Sequence, residues 1–158
     1  LPATPGSFDV ISMWHVLEHL YQPHEQLQRI RDLLDEDGLL VIAVPNRDSR
    51  DAAFYRENWV AYDAPRHVLH FNLKALRTLC EMHRFELVEQ RALPIDTFFN
   101  TLMSEQLKAA RKSHGGLAKI VGAARAACLS AWVLMLQQLL PNQARQSTLF
   151  TIWRKTRD

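Results

Sequence analysis

Glycine is scarce in this sequence, and its few glycines do not form a cofactor-binding turn. They lie at positions 6, 38, 115, 116 and 122 of 158 residues. None makes a G-x-G turn between a strand and a helix, the arrangement that lets a backbone approach a nucleotide phosphate closely. The sequence therefore supplies no glycine-rich site for a nucleotide cofactor.

Cysteine is also rare. Cys80 and Cys128 are far apart and have no C-x-x-C spacing, which excludes a disulfide framework or a zinc knuckle and fits a reducing cytoplasm. The predicted location is therefore cytoplasmic, with contact to a membrane surface left open. The chain has no signal-peptide pattern and begins with Leu1 rather than Met, which predicts a fragment of a longer protein.

Acidic residues are absent between Glu105 and Asp158. Residues 1–105 carry ten Lys/Arg against 16 Asp/Glu, whereas residues 106–158 carry nine against one. This asymmetry predicts that the C-terminal third presents either a solvated basic face or a surface for an anionic partner. Nucleic acid is not expected as that partner, because the basic third lacks a known motif and interleaved stacking aromatics.

Long apolar runs are missing as well. A predicted helix at 117–140 has an uncharged part, residues 126–141, that is shorter than the ~20 residues a membrane span needs. Basic residues such as Lys119 and Arg125 lie nearby. The helix therefore suits a cap over a pocket, with an interfacial helix on a membrane surface as the alternative.

The sequence opens with a strand–helix–strand pattern. Residues 8–14 are β-branched and aromatic and predict a buried strand, and Pro23 opens a helix at 23–35 that Asp37-Gly38 ends with a turn. Residues 39–44 are continuously apolar, which is typical of a strand buried on both faces. The order fits a right-handed βαβ unit.

Further elements predict an α/β domain that spans residues 1–158. Residues 46–66 show no period and predict a long functional loop. The other predicted elements are helices at 73–83, 97–112 and 117–140 and strands at 85–91 and 148–153. We expect residues 1–94 and 142–158 to form the sheet core and residues 95–141 to form a helical lid.

Several segments are quite specific for one family. They are Phe8-Asp9-Val10-Ile11, His15-Val16-Leu17-Glu18-His19-Leu20, Gly38-Leu39-Leu40-Val41-Ile42 with Val44-Pro45-Asn46, and Trp59-x-x-Tyr62-Asp63-Ala64-Pro65-Arg66-His67-Val68-Leu69-His70-Phe71. In these segments the chain resembles class I S-adenosylmethionine (SAM) dependent methyltransferases, in the bacterial subgroup that includes ubiquinone-biosynthesis O-methyltransferases. The resemblance spans nearly the whole chain except residues 95–141.

The resemblance implies the C-terminal part of a Rossmann-like sheet of order 3-2-1-4-5-7-6, with its strand 7 antiparallel. Residues 8–14, 39–44, 85–91 and 148–154 correspond to strands 4, 5, 6 and 7. Strands 1 to 3 are missing, together with the glycine turn and the acidic residue that hold SAM in the family. A free strand 4 edge predicts a homo-oligomer.

The implied activity is methyl transfer from SAM to an oxygen of a small-molecule or lipid-linked acceptor. The longer parent protein would perform it, and this chain alone is expected to be inactive. Two other functions fit the same residues: a non-catalytic interaction or regulatory module derived from a methyltransferase, or a membrane-surface binding protein.

The resemblance also implies where the site residues lie. Met13, Trp14 and His15, at the end of strand 4, are expected to contact the methionine part of SAM, with a core position for Trp14 as the alternative. A neutral imidazole suits proton abstraction near neutral pH. His67 is the first choice for the general base, His70 the second, and His15 a further catalytic candidate.

Acceptor contacts are expected in the same loop. Trp59, Tyr62 and Arg66 would bind the acceptor, with Arg66 clamping an anionic group. The alternative is structural: one loop histidine caps the helix at 73–83, and Arg66 pairs with Asp63.

His15, Glu18 and His19 form an H-x-x-E-H cluster. Ubiquinone-pathway relatives have E-x-x-E-H here, and plant small-RNA methyltransferases use such a cluster with a later histidine to hold Mg²⁺. In this chain His15 replaces the first glutamate, and Mg²⁺ prefers oxygen ligands. The sequence therefore predicts no metal site, with a softer divalent ion as the alternative.

Overall fold

A four-stranded sheet forms the centre of the described part of the chain. The computed structural model describes residues 4, 6, 8–112, 124, 128, 131, 132, 135 and 145–156. The strands are β1 (Phe8–Trp14), β2 (Leu34–Pro45), β3 (Phe85–Arg91) and β4 (Thr148–Lys155), in the order β1-β2-β4-β3. β1 and β2 are parallel, and β4 is antiparallel to both of its neighbours. This confirms the α/β fold and the 4-5-7-6 strand order that the resemblance implies.

The α-helices of the described residues are α1 (Pro23–Leu33), α2 (Arg50–Tyr55), α3 (Leu73–Met82) and α4 (Pro94–Lys112). Proline suits the first turn of α1, and Asn72 caps α3 by accepting a hydrogen bond from Ala75 N at 2.8 Å. The helices predicted at 23–35, 73–83 and 97–112 are confirmed with shifted ends. The helix predicted at 117–140 lies outside the described residues apart from isolated positions. Within the described ranges, no helix is both long and apolar enough to cross a membrane.

The core joins the sheet to α1 and α3. Its buried members are Met13, Leu17, Leu27, Leu34, Leu40, Ile42, Val44, Phe71, Leu76, Leu79, Cys80, Phe85, Leu149 and Trp153. Burying one such large apolar side chain is worth about 1.5–3 kcal/mol, so these residues fix the sheet and hold the ends of β1 and β2 in place.

β2 is longer than the sequence predicts, and the chain enters it directly from α1. The helix ends at Leu33, and Leu34 already pairs with Phe8. The pairing is irregular until Leu39, and a Cβ atom added to Gly38 would lie 2.9 Å from the carbonyl oxygen of Asp35. The turn predicted at Asp37-Gly38 is therefore an irregular stretch within the strand, where glycine permits a close backbone approach.

β1 is an edge strand among the described residues, so the prediction of a buried strand is wrong for this chain. Phe8, Val10 and Trp14 are 41%, 53% and 52% exposed, whereas Met13 faces the core. Only β2 pairs with β1 within the described ranges, which leaves its outer edge and one face uncovered.

Residues 46–66 are not the irregular loop that the sequence predicts. They contain α2 and two 3-10 turns, Arg56–Asn58 and Val60–Tyr62. Ser49 caps α2 by accepting a hydrogen bond from Ala52 N at 3.1 Å. Tyr55, Trp59, Ala52 and Ala61 form a small core of their own. Helices of three to six residues are too short to show a hydrophobic period, which is why the pattern concealed them.

Candidate functional site

A cleft of about 230 Å³ opens where β1 and β2 end. Ligands of open α/β sheets bind outside the carboxyl ends of the strands, so the location suits a binding site. Pro45 ends β2 and His15 follows β1, while α4 contributes the opposite wall. The lining residues are His15, Pro45, Val60, Ala61, Asp63, Arg66, His67, Phe99, Asn100 and Met103.

His15 lies between two carboxylates. Its backbone has a φ of +50°, rare for a residue with a side chain, and its N–H is fixed on Ala43 O at 2.9 Å. Nε2 is 3.3 Å from Asp96 Oδ2, and Nδ1 is 3.3 Å from Glu18 Oε1. These two carboxylates raise the pKa of His15 to about 9, although partial burial opposes them. His15 is therefore an imidazolium at neutral pH and cannot accept a further proton.

His67 has one nitrogen engaged and one available. Nδ1 donates a hydrogen bond to Ala61 O at 2.8 Å, so the lone pair of the neutral ring is on Nε2. Nε2 is 4.0 Å from Glu18 Oε1 and 3.9 Å from Asp63 Oδ2. A neutral imidazole in this position can take a proton from a ligand in the cleft.

Glu18 and His19 lie beside His67. Glu18 is 1% exposed, and its Oε2 has no hydrogen-bond partner. His19 donates from Nδ1 to Arg66 O at 2.9 Å, and its ring meets that of His67 edge-on at 4.6 Å. One ligand atom from each of Glu18, His19 and His67 lies within 4.8 Å of the others. The structure thus gathers a carboxylate and two imidazoles, with His67 in the place that sequence reasoning gave to His15.

The ligand atoms of Glu18, His19 and His67 do not suit Mg²⁺, the ion that the plant small-RNA methyltransferases hold. Mg²⁺ prefers oxygen ligands in octahedral geometry, and this cluster offers two ring nitrogens and one carboxylate. Two imidazoles and a carboxylate are ligands typical of Zn²⁺. No step of the reaction is therefore assigned to Mg²⁺.

His70 lies outside the cleft. Its Nε2 donates a hydrogen bond to Tyr62 O at 3.0 Å, and its ring contacts the Tyr62 ring with centroids 5.3 Å apart. His70 is not among the residues that line the cleft. Its contacts hold the 3-10 turn at Tyr62, which favours a structural role.

Of the three residues expected to bind the acceptor, only Arg66 lines the cleft. Trp59 is 1% exposed, its Nε1 donates to Asp51 Oδ2 at 2.8 Å, and it belongs to the small core with Tyr55 rather than to the cleft lining. Tyr62 packs edge-on against Trp59. Arg66 lines the cleft but has its Nη2 atom 2.7 Å from the Asp63 carboxylate, as in the structural alternative.

The three residues expected to contact the cofactor at the end of β1 differ in burial. Met13 is buried in the core, which limits its side chain to packing. Trp14 is half exposed, with its ring 5.4 Å from that of Phe150, and can contact a ligand. His15 lines the cleft itself.

α4 supplies site residues that sequence reasoning missed. Asp96 reaches His15, and Phe99, Asn100 and Met103 line the cleft. Burial raises the pKa of Asp96, but hydrogen bonds with His15 and Thr148 outweigh burial and lower the pKa below its usual value. The available signal was the apolar spacing Ile95, Phe99, Met103, which marks one helix face.

Comparisons with known proteins agree with this architecture. A family model described as a methyltransferase domain matches residues 2–90. A curated relative, the ubiquinone biosynthesis O-methyltransferase of Glaesserella parasuis serovar 5 (strain SH0165), is 46% identical over 43 residues, which is 27% of this chain and 18% of that protein.

Solved structures share the fold at low sequence identity. The [4+2]-cyclase SpnF has a TM-score of 0.57 and 15% sequence identity to this chain. The match covers 100% of this chain and 53% of the cyclase chain. Phosphoethanolamine N-methyltransferase 2 of Haemonchus contortus, in complex with phosphomonomethylethanolamine and S-adenosylhomocysteine, has a TM-score of 0.53 and 13% identity, covering 97% and 34%. The chain thus spans about half or less of these proteins. The cyclase indicates that one fold can serve different reactions.

Proposed function

Since this chain belongs to the methyltransferase domain family, we propose that the longer protein of which it forms part is a SAM-dependent methyltransferase. The observation that carries the proposal is the placement of His67. Its available Nε2 borders a cleft at the carboxyl ends of β1 and β2, where the acceptor of a Rossmann-like enzyme would lie.

The proposed reaction is methyl transfer to an oxygen. SAM, when bound, supplies an electrophilic methyl group. His67 Nε2 takes the proton of the acceptor hydroxyl, which makes the oxygen nucleophilic. Ala61 O holds the ring by accepting from Nδ1–H, and the carboxylates of Glu18 and Asp63, about 4 Å from Nε2, stabilise the imidazolium that forms.

The acceptor is proposed to be a small molecule or a lipid-linked compound. Phe99 and Met103 are 54% and 46% exposed and present apolar surface beside His67. An anionic acceptor group is disfavoured, because the cations of the cleft, Arg66 and His15, already contact carboxylates. A lipid-linked acceptor would bring the protein to a membrane surface.

The cofactor site is proposed to be shared with residues outside this chain. Trp14 and His15 would contact SAM from the end of β1. The glycine turn and the ribose-binding carboxylate would come from the preceding part of the longer protein, since none of the five glycines here makes such a turn.

Two measurements test the proposal. Mass spectrometry of the purified full-length protein should detect SAM or S-adenosylhomocysteine. Calorimetry of the isolated 158-residue chain should show no micromolar SAM binding. A full-length protein with no affinity for either compound would exclude the enzyme, and a clear micromolar isotherm for the isolated chain would exclude the shared site.

A non-catalytic interaction module is the second candidate, and the exposed apolar side of β1 favours it. Phe8, Val10 and Trp14 present a strand that can pair with a partner. The coding sequence upstream of this chain distinguishes the two functions. An in-frame segment that encodes G-x-G there favours the enzyme, and its absence favours the interaction module.

A further inference from the structure

We propose that Asn100 is a specificity-determining residue, whose Oδ1 atom accepts a hydrogen bond from a second O–H or N–H group of the methyl acceptor. The first such group is the hydroxyl that gives its proton to His67. This inference deepens the proposed function and rests on it, because it names a chemical feature of the molecule that the cleft binds.

Asn100 reaches the cleft from α4. It is half-buried and lies on that helix between Phe99 and Met103, which line the cleft with it. Among the lining residues of the described structure, Asn100 is the only one with an amide side chain. An amide can recognise an uncharged polar group without the desolvation cost of a charge.

A chain of hydrogen bonds fixes the amide group of Asn100. Ser147 Oγ lies 2.6 Å from Asp51 Oδ2, and Asn100 Nδ2 lies 2.6 Å from Ser147 Oγ. The carboxylate of Asp51 only accepts, so the hydroxyl hydrogen of Ser147 is used on Asp51. Ser147 can then only accept from Asn100. This places the NH₂ group of the amide at Ser147 and turns Oδ1 away from it.

The two residues that anchor Asn100 are themselves held in place. Asp51 and Ser147 are 5% and 0% exposed. Trp59 Nε1 donates to the same Asp51 Oδ2 at 2.8 Å, and the backbone oxygen of Ser147 accepts from Asn46 N at 2.8 Å. An amide anchored in this way loses little freedom when a ligand binds, so its hydrogen bond adds to discrimination between ligands.

The amide oxygen of Asn100 is available for a ligand. In the described part of the chain, the amide has no hydrogen bond besides the one with Ser147. Asn100 lines the cleft, whereas Ser147 is fully buried and does not. Oδ1 is therefore the polar atom that Asn100 presents to the cleft.

The cleft thus presents two neutral hydrogen-bond-accepting atoms, His67 Nε2 and Asn100 Oδ1. The cations that line it, Arg66 and His15, already contact carboxylates. A molecule with two donor groups satisfies both atoms, whereas a molecule with one hydroxyl leaves Oδ1 without a partner when it displaces water, which costs affinity. The methyl acceptor is therefore an apolar compound that carries a second O–H or N–H group.

The experiment compares matched probes on the full-length protein with S-adenosylhomocysteine present. Each pair is a hydroxymethylphenol and the ethylphenol substituted at the same ring position, ortho, meta or para. The two members have similar shapes and differ by one hydroxyl group. Calorimetry measures the Kd of each. We expect at least one hydroxymethylphenol to bind about tenfold or more tightly than its ethylphenol, although the ethylphenol is the more apolar molecule.

Asn100→Leu should abolish this preference, because leucine has a similar size and no polar atom. The matched control is Gln106→Leu, which removes an exposed amide of α4 outside the cleft and should keep the preference of the parent. Ser147→Ala is a second test that leaves Asn100 in place. It frees the amide to rotate, so the preference should fall by roughly threefold or more.

The outcomes separate this inference from the proposed function. A parent protein without a preference in any pair overturns the inference, and so does a preference that Asn100→Leu or Ser147→Ala leaves unchanged. If the probes are methylated without preference, the proposed function stands and the role of Asn100 is overturned. If the preference is present but no probe is methylated, Asn100 stands as a ligand-binding residue, and methyl transfer to the hydroxyl at His67 is contradicted.

Discussion

The two ring nitrogens of His67 face different groups, and that difference assigns their roles. Nδ1 is engaged with a backbone carbonyl, which fixes the ring, and Nε2 borders the cleft near two carboxylates. His70 has no such asymmetry towards the cleft, because its Nε2 is used on Tyr62 O. We therefore propose His67, rather than His70, as the residue that accepts the proton.

Replacing His67 should impair turnover far more than cofactor binding. In the full-length protein we expect His67→Ala to lower kcat by about 10²–10⁴-fold, the usual contribution of a general base. The Kd for SAM should stay unchanged, because the residue lies on the acceptor side. Steady-state kinetics and calorimetry provide the two numbers.

His70→Ala is the control for that prediction. It should retain most of its kcat, with some loss of stability from the broken contact with Tyr62. If His70→Ala abolishes turnover while His67→Ala remains active, the roles are exchanged. If both variants remain active, the loop histidines are structural.

The contact between exposed His24 and partly buried His83 predicts loss of stability in acid. Burial, and after it the nearby His24, lowers the pKa of His83. The unfolded chain then binds the proton more readily than the folded one, so stability present above about pH 6.5 falls as the pH drops below that value. Urea unfolding of His83→Gln should show a shallower decline between pH 7 and 5 than the parent chain, and an equally steep decline would contradict this.

The sequence singles out His67 and, separately, Glu18 and His19, but it does not predict that the three lie together. His67 was identifiable because it follows the second predicted strand within a specific motif. Its approach to Glu18, 49 positions earlier, depends on the path of residues 46–66, which carry no readable period. For the same reason the hydrogen bond between His15 and Asp96, 81 positions apart, had no signal in the sequence.

At the scale of elements, α4 determines the shape of the cleft. Its Phe99 and Met103 border the cleft, whereas Ile95, on the same helix face one turn earlier, does not. We expect Phe99→Ala to raise KM for the acceptor by roughly tenfold, which corresponds to about 1.4 kcal/mol of lost apolar contact. SAM affinity should not change.

Ile95→Ala is a suitable control, since Ile95 is 63% exposed and belongs to the same helix. Acceptor kinetics of the two variants should differ clearly. Equal KM values in Phe99→Ala, Ile95→Ala and the parent would show that the acceptor does not contact this face of α4.

Secondary-structure elements were predictable from the sequence where the hydrophobic period or the helix-capping residue was clear. α3 has both an apolar face and the Asn72 cap, and its predicted end differs by one residue. The sequence predicts only residues 39–44 of β2, because Asp37-Gly38 has the composition of a turn, although Leu34 already pairs with Phe8. Strand pairing overrode local composition there.

At the scale of the whole molecule, the open side of β1 predicts self-association of the isolated chain. Phe8, Val10 and Trp14 lie on a strand with an unpaired edge in the described structure, which is a site for pairing with another chain. Light scattering should give about twice the chain mass of 18.3 kDa or more. Val10→Lys should reduce association, because a charged edge residue opposes pairing. A monomer for the unaltered chain would contradict the prediction.

β4 pairs with both β2 and β3, although it follows them in the chain. During synthesis neither β2 nor β3 can therefore pair with β4, which lies between them in the sheet, until residues 148–155 leave the ribosome. From Arg91 to Lys155 the ribosome adds 64 residues, which takes roughly 3–13 s at about 5–20 residues per second. Throughout that interval we expect β2 and β3 to be open to chaperones and to neighbouring nascent chains, so the yield of folded protein should depend on how quickly β4 is translated.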